Sequence, residues 1–194
     1  MEENEFKKAF LDNNSNIDKI LNAVAFAAEK HKSQRRKGTV AAPYINHPIA
    51  VAKLVTGVGK EYDISVIQGA ILHDTIEDTE TTAEELLGLF GKEVTDYVVE
   101  MTDDKSIPKS ERKRLQVVNA PHKSHGAKLI KICDKISNIT DVTNDPPTHW
   151  NLQRRNEYLE WAKHVVDALG KVNKDLESLF IERYNRGKFL LEAN

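Results

Sequence analysis

The stretch Ala70-Ile71-Leu72-His73-Asp74-Thr75-Ile76-Glu77-Asp78 decides how this chain is read. Its first three residues and Ile76 are apolar enough for an interior helix. The same nine residues nevertheless carry one imidazole and three carboxylates. On a helix, side chains at i, i+3 and i+4 share a face. Glu77 then stands four residues from His73 and three from Asp74, and Asp78 stands four from Asp74. One face would hold a potential metal-ligand pair, with two acids beside it able to handle a proton. Buried carboxylates are costly unless paired, so such a face needs a compensating cation.

Two distant segments offer partners: Tyr44-Ile45-Asn46-His47-Pro48 and the single residue Asp134. His47, His73, Asp74 and Asp134 together supply two imidazole nitrogens and at least two carboxylate oxygens. That mixed set suits a divalent first-row metal with open positions for water and phosphate. The lack of cysteine ligands argues against a closed structural zinc site. Mn²⁺ is the first choice for one ion, with Zn²⁺, Fe²⁺ and Co²⁺ as competitors. From the residues alone, a metal site and a solvated acidic surface remain balanced readings.

Working outward, the periodicity is helical nearly throughout. Ile17, Ile20, Leu21, Val24 and Ala28 recur at helical spacing behind Asn16 as N-cap. Gln34 to Ala42 interrupts the pattern with a basic loop containing Arg35, Arg36, Lys37 and Gly38. His47-Pro48 opens the next helix, which Gly57 and Gly59 end. Asp63 caps a helix expected to run unbroken through His73 to Glu77. Thr81-Thr82-Ala83-Glu84-Glu85 offers two overlapping capping boxes. A basic helix is expected from Lys109 to Val118, a strong one from Gly126 to Val142, and two more over 151–169 and 172–190. Asp145-Pro146-Pro147 is a firm break. The pattern predicts an all-α bundle of about ten helices, with residues 1–194 as one domain.

With 194 residues, 40% of them hydrophobic and 30% charged, the chain can bury a core without staples. A formal net charge of −2 gives no footprint for nucleic acid. One cysteine, Cys133, excludes an internal disulfide framework. No apolar run is long enough for a bilayer span, and Met1 to Glu5 is acidic rather than signal-like. A cytoplasmic protein with a small-molecule partner is expected, with no membrane partner; homo-oligomerisation stays open.

These residues carry a resemblance. The chain resembles the HD-domain phosphohydrolases, whose signature is a distal His, a His-Asp pair and a later Asp. More closely it is similar to the hydrolase domain of RelA/SpoT enzymes, and most closely to stand-alone small alarmone hydrolases of the Mesh1 type. The matching stretches are 27–51, 70–78, 102–116 and 126–138, continued by Asn156 to Ala162, in the same order. The resemblance implies an HD-domain bundle and Mn²⁺-dependent hydrolysis of guanosine 3′,5′-bis(diphosphate), or its triphosphate analogue, at the 3′ position. Pyrophosphate and GDP or GTP would be released. It implies His47, His73, Asp74 and Asp134 as metal ligands and Glu77 and Asp78 as catalytic acids. Arg36 and Lys37 would meet the base or phosphates. Lys109 and Arg112 to Arg114 would line the entrance, Asn138 would face the ribose or 3′-diphosphate, and Tyr158 would contact the nucleoside. RelA/SpoT domains commonly place an arginine where this chain has Thr140, which removes a basic contact there.

Lys128, Lys131 and Lys135 share one helix face, and a solvated face is the expectation for Lys131. Tyr158 and Trp161, three residues apart, have a spacing more often found in a core, which leaves Tyr158 balanced between core packing and a nucleoside contact. Two other activities fit the same residues. One is an HD phosphatase acting on NADPH or another ribose-phosphate nucleotide. The other is an alarmone-binding protein without catalysis.

Overall fold

The computed structural model describes residues 15–193; the acidic stretch Met1 to Glu5 lies outside them. These residues form nine helices of eight residues or more and one single turn, with no strand among them. In chain order they are α1 (Asn16–Lys30), α2 (Asn46–Gly57), α3 (Ile64–Leu72), the four-residue α4 (Thr75–Asp78), α5 (Ala83–Phe90), α6 (Lys92–Met101), α7 (Lys109–Asn119), α8 (His125–Asn144), α9 (Leu152–Leu169) and α10 (Lys174–Glu192). A 3₁₀ turn (Ala120–His122) joins α7 to α8. No described helix is long and apolar enough to cross a membrane.

The bundle is arranged around α8. That helix is buried on most sides, apolar toward the core and carrying Lys131, Asp134, Lys135 and Ser137 on its buried polar side, so it occupies the interior rather than the surface. Leu129, Ile130, Ile132, Cys133, Ile136 and Ile139 are all buried. Each such aliphatic side chain contributes about 1.5–3 kcal/mol on leaving water. Helices α2, α3, α6, α9 and α10 all pack on α8, while α1 and α2 flank α3 and α7 leans on α9. One core cluster, from Ala23 and Phe26 on α1 to Leu176 and Phe180 on α10, joins these layers.

Polar side chains cap several of the helix starts. Ser15, not Asn16, caps α1, its side chain accepting from the Asp18 N–H; Asn16 is already helical. Asp63 caps α3 through the Ser65 N–H at 2.7 Å. Of the two overlapping boxes, Thr82 supplies the cap by accepting from the Glu85 N–H. Asn151 and Asn173 cap α9 and α10. Each cap satisfies an N–H that the helix leaves without a partner.

The expected unbroken helix from Asp63 to Glu77 is two pieces. α3 ends at Leu72, and α4 begins at Thr75. The side chains at the junction explain the interruption. His73 Nδ1 lies 2.8 Å from the Ala70 carbonyl, and the Thr75 hydroxyl donates to the Leu72 carbonyl at 2.7 Å. Those are the carbonyls a continuing helix would direct to the N–H groups of Asp74 and Ile76. Local side-chain bonds thus compete with the helix.

Candidate metal centre and active-site cleft

Three elements deliver the metal-ligand candidates to one point. His47 comes from the first turn of α2, His73 and Asp74 from the α3–α4 break, and Asp134 from the middle of α8. Donor atoms of His47, His73 and Asp134 all lie within 4.8 Å of one another. His47 Nε2 is 3.2 Å from Asp134 Oδ1, and His73 Nε2 is 3.8 Å from the same oxygen. Asp74 Oδ2 stands beside both imidazoles, 3.1 Å from His73 Nε2 and 3.7 Å from His47 Nε2. Ligands bound at about 2.0–2.2 Å to one ion lie roughly 3–3.6 Å apart. The observed separations are of that size.

Each ligand candidate is also oriented from behind. His73 faces the Ala70 carbonyl with Nδ1, and His47 Nδ1 lies 3.0 Å from Ser137 Oγ. Both rings therefore turn Nε2 toward the carboxylates, the outer-partner arrangement usual for metal-binding histidines. Asp134 receives Asn138 Nδ2 on Oδ1 at 2.5 Å and Lys135 Nζ on Oδ2 at 3.1 Å. Asp74 Oδ2 receives the Tyr44 hydroxyl at 2.7 Å. His73 Nε2 is buried and has no aligned hydrogen-bond partner.

The electrostatics describe a pocket that seeks positive charge. Burial lowers the His47 pKa below the usual histidine range, despite the nearby Asp134 and Asp74. At His73 burial pulls the same way, but Asp74 and Asp134 prevail and push it up to about 10. Burial opposes charge on Asp134, yet Lys135, His47 and His73 hold it well below the usual carboxylate range. Asp74 is likewise held low against burial, chiefly by His73. The orphaned His73 nitrogen and the two depressed carboxylates fit a divalent cation in chemistry and spacing.

Glu77 and Asp78 stand beside this pocket and differ in their surroundings. Glu77 is half-buried, its Oε2 accepting the Asp103 N–H at 3.0 Å. Burial, and then the charges of Asp103, Asp74 and Asp78, raise its pKa against that one donor. Asp78 pairs with Lys105 through Oδ1 at 2.5 Å and faces the Tyr44 hydroxyl at 3.4 Å. Tyr44 itself is pushed above its ordinary range by burial and by Asp74 and Asp78, so it remains a donor.

A cleft of about 1040 Å³ opens over the pocket, and of the residues given a role from the sequence all but Arg114 line it. These are the four ligand candidates, Glu77 and Asp78, and the outer set Arg36, Lys37, Lys109, Arg112, Lys113, Asn138 and Tyr158. Arg36 is already engaged: it holds Asp141 through Nε and Nη2, gives Nη2 to Asn138 at 2.8 Å, and lies over the Tyr44 ring. Lys37, Lys109 and Arg112 form no ion pair among the described residues. Partial burial, then Arg154, Lys37 and Arg112, lower the pKa of Lys109. Tyr158 sits between the Trp150 and Trp161 rings, with centroids at 5.4 and 5.3 Å.

The basic loop is clamped at both ends. The Arg36 N–H reaches the Ala42 carbonyl, and the Tyr44 N–H reaches the Gln34 carbonyl. Asp145, just past α8, takes the Thr39 N–H and hydroxyl and the Val40 N–H. Gly38 lies so close that a Cβ there would fall 2.1 Å from Asp145 Oδ2 and 2.5 Å from its carbonyl oxygen.

Several expectations are corrected. Lys131 is buried rather than solvated, as is Lys135; both line the cleft, and burial pushes Lys131 down to about 8. Helical spacing alone does not separate an exposed basic face from one turned toward a polar cleft. Arg114 turns from the cleft to pair with Glu111. Trp161 lines the cleft and anchors it, its Nε1–H donating to the Lys113 carbonyl. Thr140 returns its hydroxyl to the Ile136 carbonyl. Tyr44, Asp103, Gln116, Ser137 and Arg154 went unassigned, although all line the same cleft; Lys113, expected at the entrance with Arg112, lines it too. Tyr44 had a signal in its place three residues before His47. Asp103 and Gln116 had none beyond their presence in a matching stretch.

Comparisons with known proteins agree with this site. A family model described as "HD domain" matches residues 23–163. A Danio rerio protein named guanosine-3′,5′-bis(diphosphate) 3′-pyrophosphohydrolase MESH1 is 51% identical, over 84% of this chain and 93% of its own length. The Homo sapiens protein of the same name is 50% identical, over 84% and 91%. A solved structure described by the words "A metazoan ortholog of SpoT hydrolyzes ppGpp and plays a role in starvation responses" superposes with a TM-score of 0.84. It is 43% identical and covers 87% of this chain and 94% of its own. Matched over most of its length in sequence and in backbone, with the His, His-Asp and Asp signature gathered at one point, this chain belongs to the HD-domain family.

Proposed function

We propose that the chain is a guanosine-3′,5′-bis(diphosphate) 3′-pyrophosphohydrolase. It cleaves ppGpp or pppGpp at the 3′ position and releases pyrophosphate with GDP or GTP. The observation that carries this reading is the cleft's division of charge: an acidic, cation-seeking floor beneath unpaired basic side chains at the rim. A substrate bearing two diphosphates matches both. The relatives named as ppGpp hydrolases share half of their residues with this chain.

In this reading His47, His73, Asp74 and Asp134 hold one Mn²⁺. When bound, such an ion supplies Lewis-acid polarisation of the reacting phosphoryl group. Glu77 takes the proton from the attacking water, since a carboxylate of raised pKa is the stronger base. Asp78, held between Lys105 and Tyr44, orients that water. Lys37, Lys109 and Arg112 offset the charge of the diphosphates, and Asn138 and Tyr158 meet the ribose and base. Arg36, fixed by Asp141 and Asn138, offers its planar face as well as its charge. The continuous core from α1 to α10 supports reading the chain as one domain.

The test is turnover of ppGpp with Mn²⁺, with products resolved by anion-exchange chromatography and NADPH and GTP as comparators. Equal amounts of GDP and pyrophosphate are expected, and chelation should abolish both. Release of orthophosphate, or faster turnover of NADPH, would overturn the assignment.

A further inference from the structure

We propose that Gln116 is a positioning residue for Glu77, acting through Asp103. Glu77 sits on α4, a single turn of four residues. One turn has too few hydrogen bonds to fix its own side chains. Among the described residues, the Glu77 carboxylate accepts one hydrogen bond, from the Asp103 N–H at 3.0 Å. Asp103 lies in the connection between α6 and α7, outside any helix. Its side chain is tied in turn: Gln116 Nε2 donates to Asp103 Oδ2 at 2.6 Å. Gln116 belongs to α7, which Trp161 anchors to α9 through the Lys113 carbonyl. A rigid helix thereby reaches the general base through two hydrogen bonds.

The tie opposes a real repulsion. The Asp103 carboxylate is a like charge close enough to raise the cost of ionising Glu77. Lys123, Lys131 and Lys135 also attract Asp103. Among the described residues, the Gln116 bond is the hydrogen bond the Asp103 side chain has. Without it the connection can relax, carrying its N–H away from Glu77. Gln116 Oε1 is buried with no hydrogen-bond partner among the described residues, so Nε2 makes the side chain's one hydrogen bond there. The charged groups bearing on Glu77 are Asp74 and Asp78 on its own segment and Asp103 on the connection. Lys105, on that same connection, is spent on Asp78.

This role rests on the proposed hydrolysis, so the test pairs kinetics with a measurement that needs no substrate. Gln116→Leu should lower kcat about 10- to 100-fold, the range for a misplaced general base, with KM within about threefold. The acidic limb of its pH profile should move upward, because Glu77 loses the donor that favours its charged form. Asp103→Asn keeps the backbone donor and an acceptor for Gln116 but removes the repelling charge, so its limb should move downward. Independently, the Asp103 amide resonance of the Mg²⁺-loaded protein should follow a titration that Glu77→Gln abolishes. Gln116→Leu should shift that titration to higher pH. A raised KM with kcat intact would make Gln116 a substrate contact and overturn the proposal. An unmoved limb and amide titration would overturn it too. An amide shift without ppGpp turnover in the wild type would uphold the positioning and reject the substrate.

Discussion

The floor and the rim of the cleft are built on opposite principles. On the floor every charged or titratable group is held by a protein partner: His73 by the Ala70 carbonyl, His47 by Ser137, Asp134 by Asn138 and Lys135, Asp74 by Tyr44. At the rim, Lys37, Lys109 and Arg112 make no ion pair among the described residues, and Lys109 is depressed by partial burial and then by its like-charged neighbours. The floor is pre-organised for a small cation. The rim is in mild self-repulsion that a polyanion relieves. In the proposed reading, specificity for the reacting centre and attraction for the substrate reside in different parts of one cleft, and different measurements separate them.

The largest expected effect breaks the floor. Asp134→Ala removes the oxygen shared by both imidazoles and leaves Lys135 buried without its partner. Turnover should fall by at least about 10³-fold, with metal content by elemental analysis dropping below one ion per chain. A fully loaded, active variant would show that the floor is not the metal centre. Next comes Glu77→Gln, which should retain the ion and the fold yet lose about 10²- to 10⁴-fold in kcat. Near-normal turnover would remove Glu77 from the chemistry. The smallest effect belongs to the rim. Lys109→Ala should raise KM about three- to tenfold and leave kcat unchanged. The difference should shrink as ionic strength rises, because exposed charges are screened. A loss confined to kcat, insensitive to salt, would merge rim and floor into one functional unit.

Much of this arrangement is legible from residue order, and the parts that are not share a cause. The α8 stripe of Leu129, Ile130, Cys133, Ile136 and Ile139 reads as a buried helix because its spacing is local. His47, His73, Asp74 and Asp134 can be grouped from their residue types, but a solvated acidic surface is an equal reading until the resemblance is added. The break at His73-Asp74 is not legible. It arises from side chains bonding to carbonyls of α3, and nothing in the apolar spacing registers that competition. Lys131 is misread for a related reason: the cleft beside α8 is polar, so lysines can leave the surface without entering the hydrocarbon core. Gln116 and Asp103 lie 13 residues apart on either side of a turn. Their alignment with Glu77 depends on how α7 docks against α9, and no local pattern encodes that docking.

The interruption between α3 and α4 has one more consequence. Consecutive residues of an uninterrupted helix are rotated by about 100° about its axis, so neighbours in sequence look in divergent directions. Here adjacent residues 73 and 74, at the interruption, address the same ion pocket. A substitution that healed the kink and lengthened the rod would swing one of the two away. Natural or engineered gains in helical regularity at this point would therefore be selected against wherever the ion is needed.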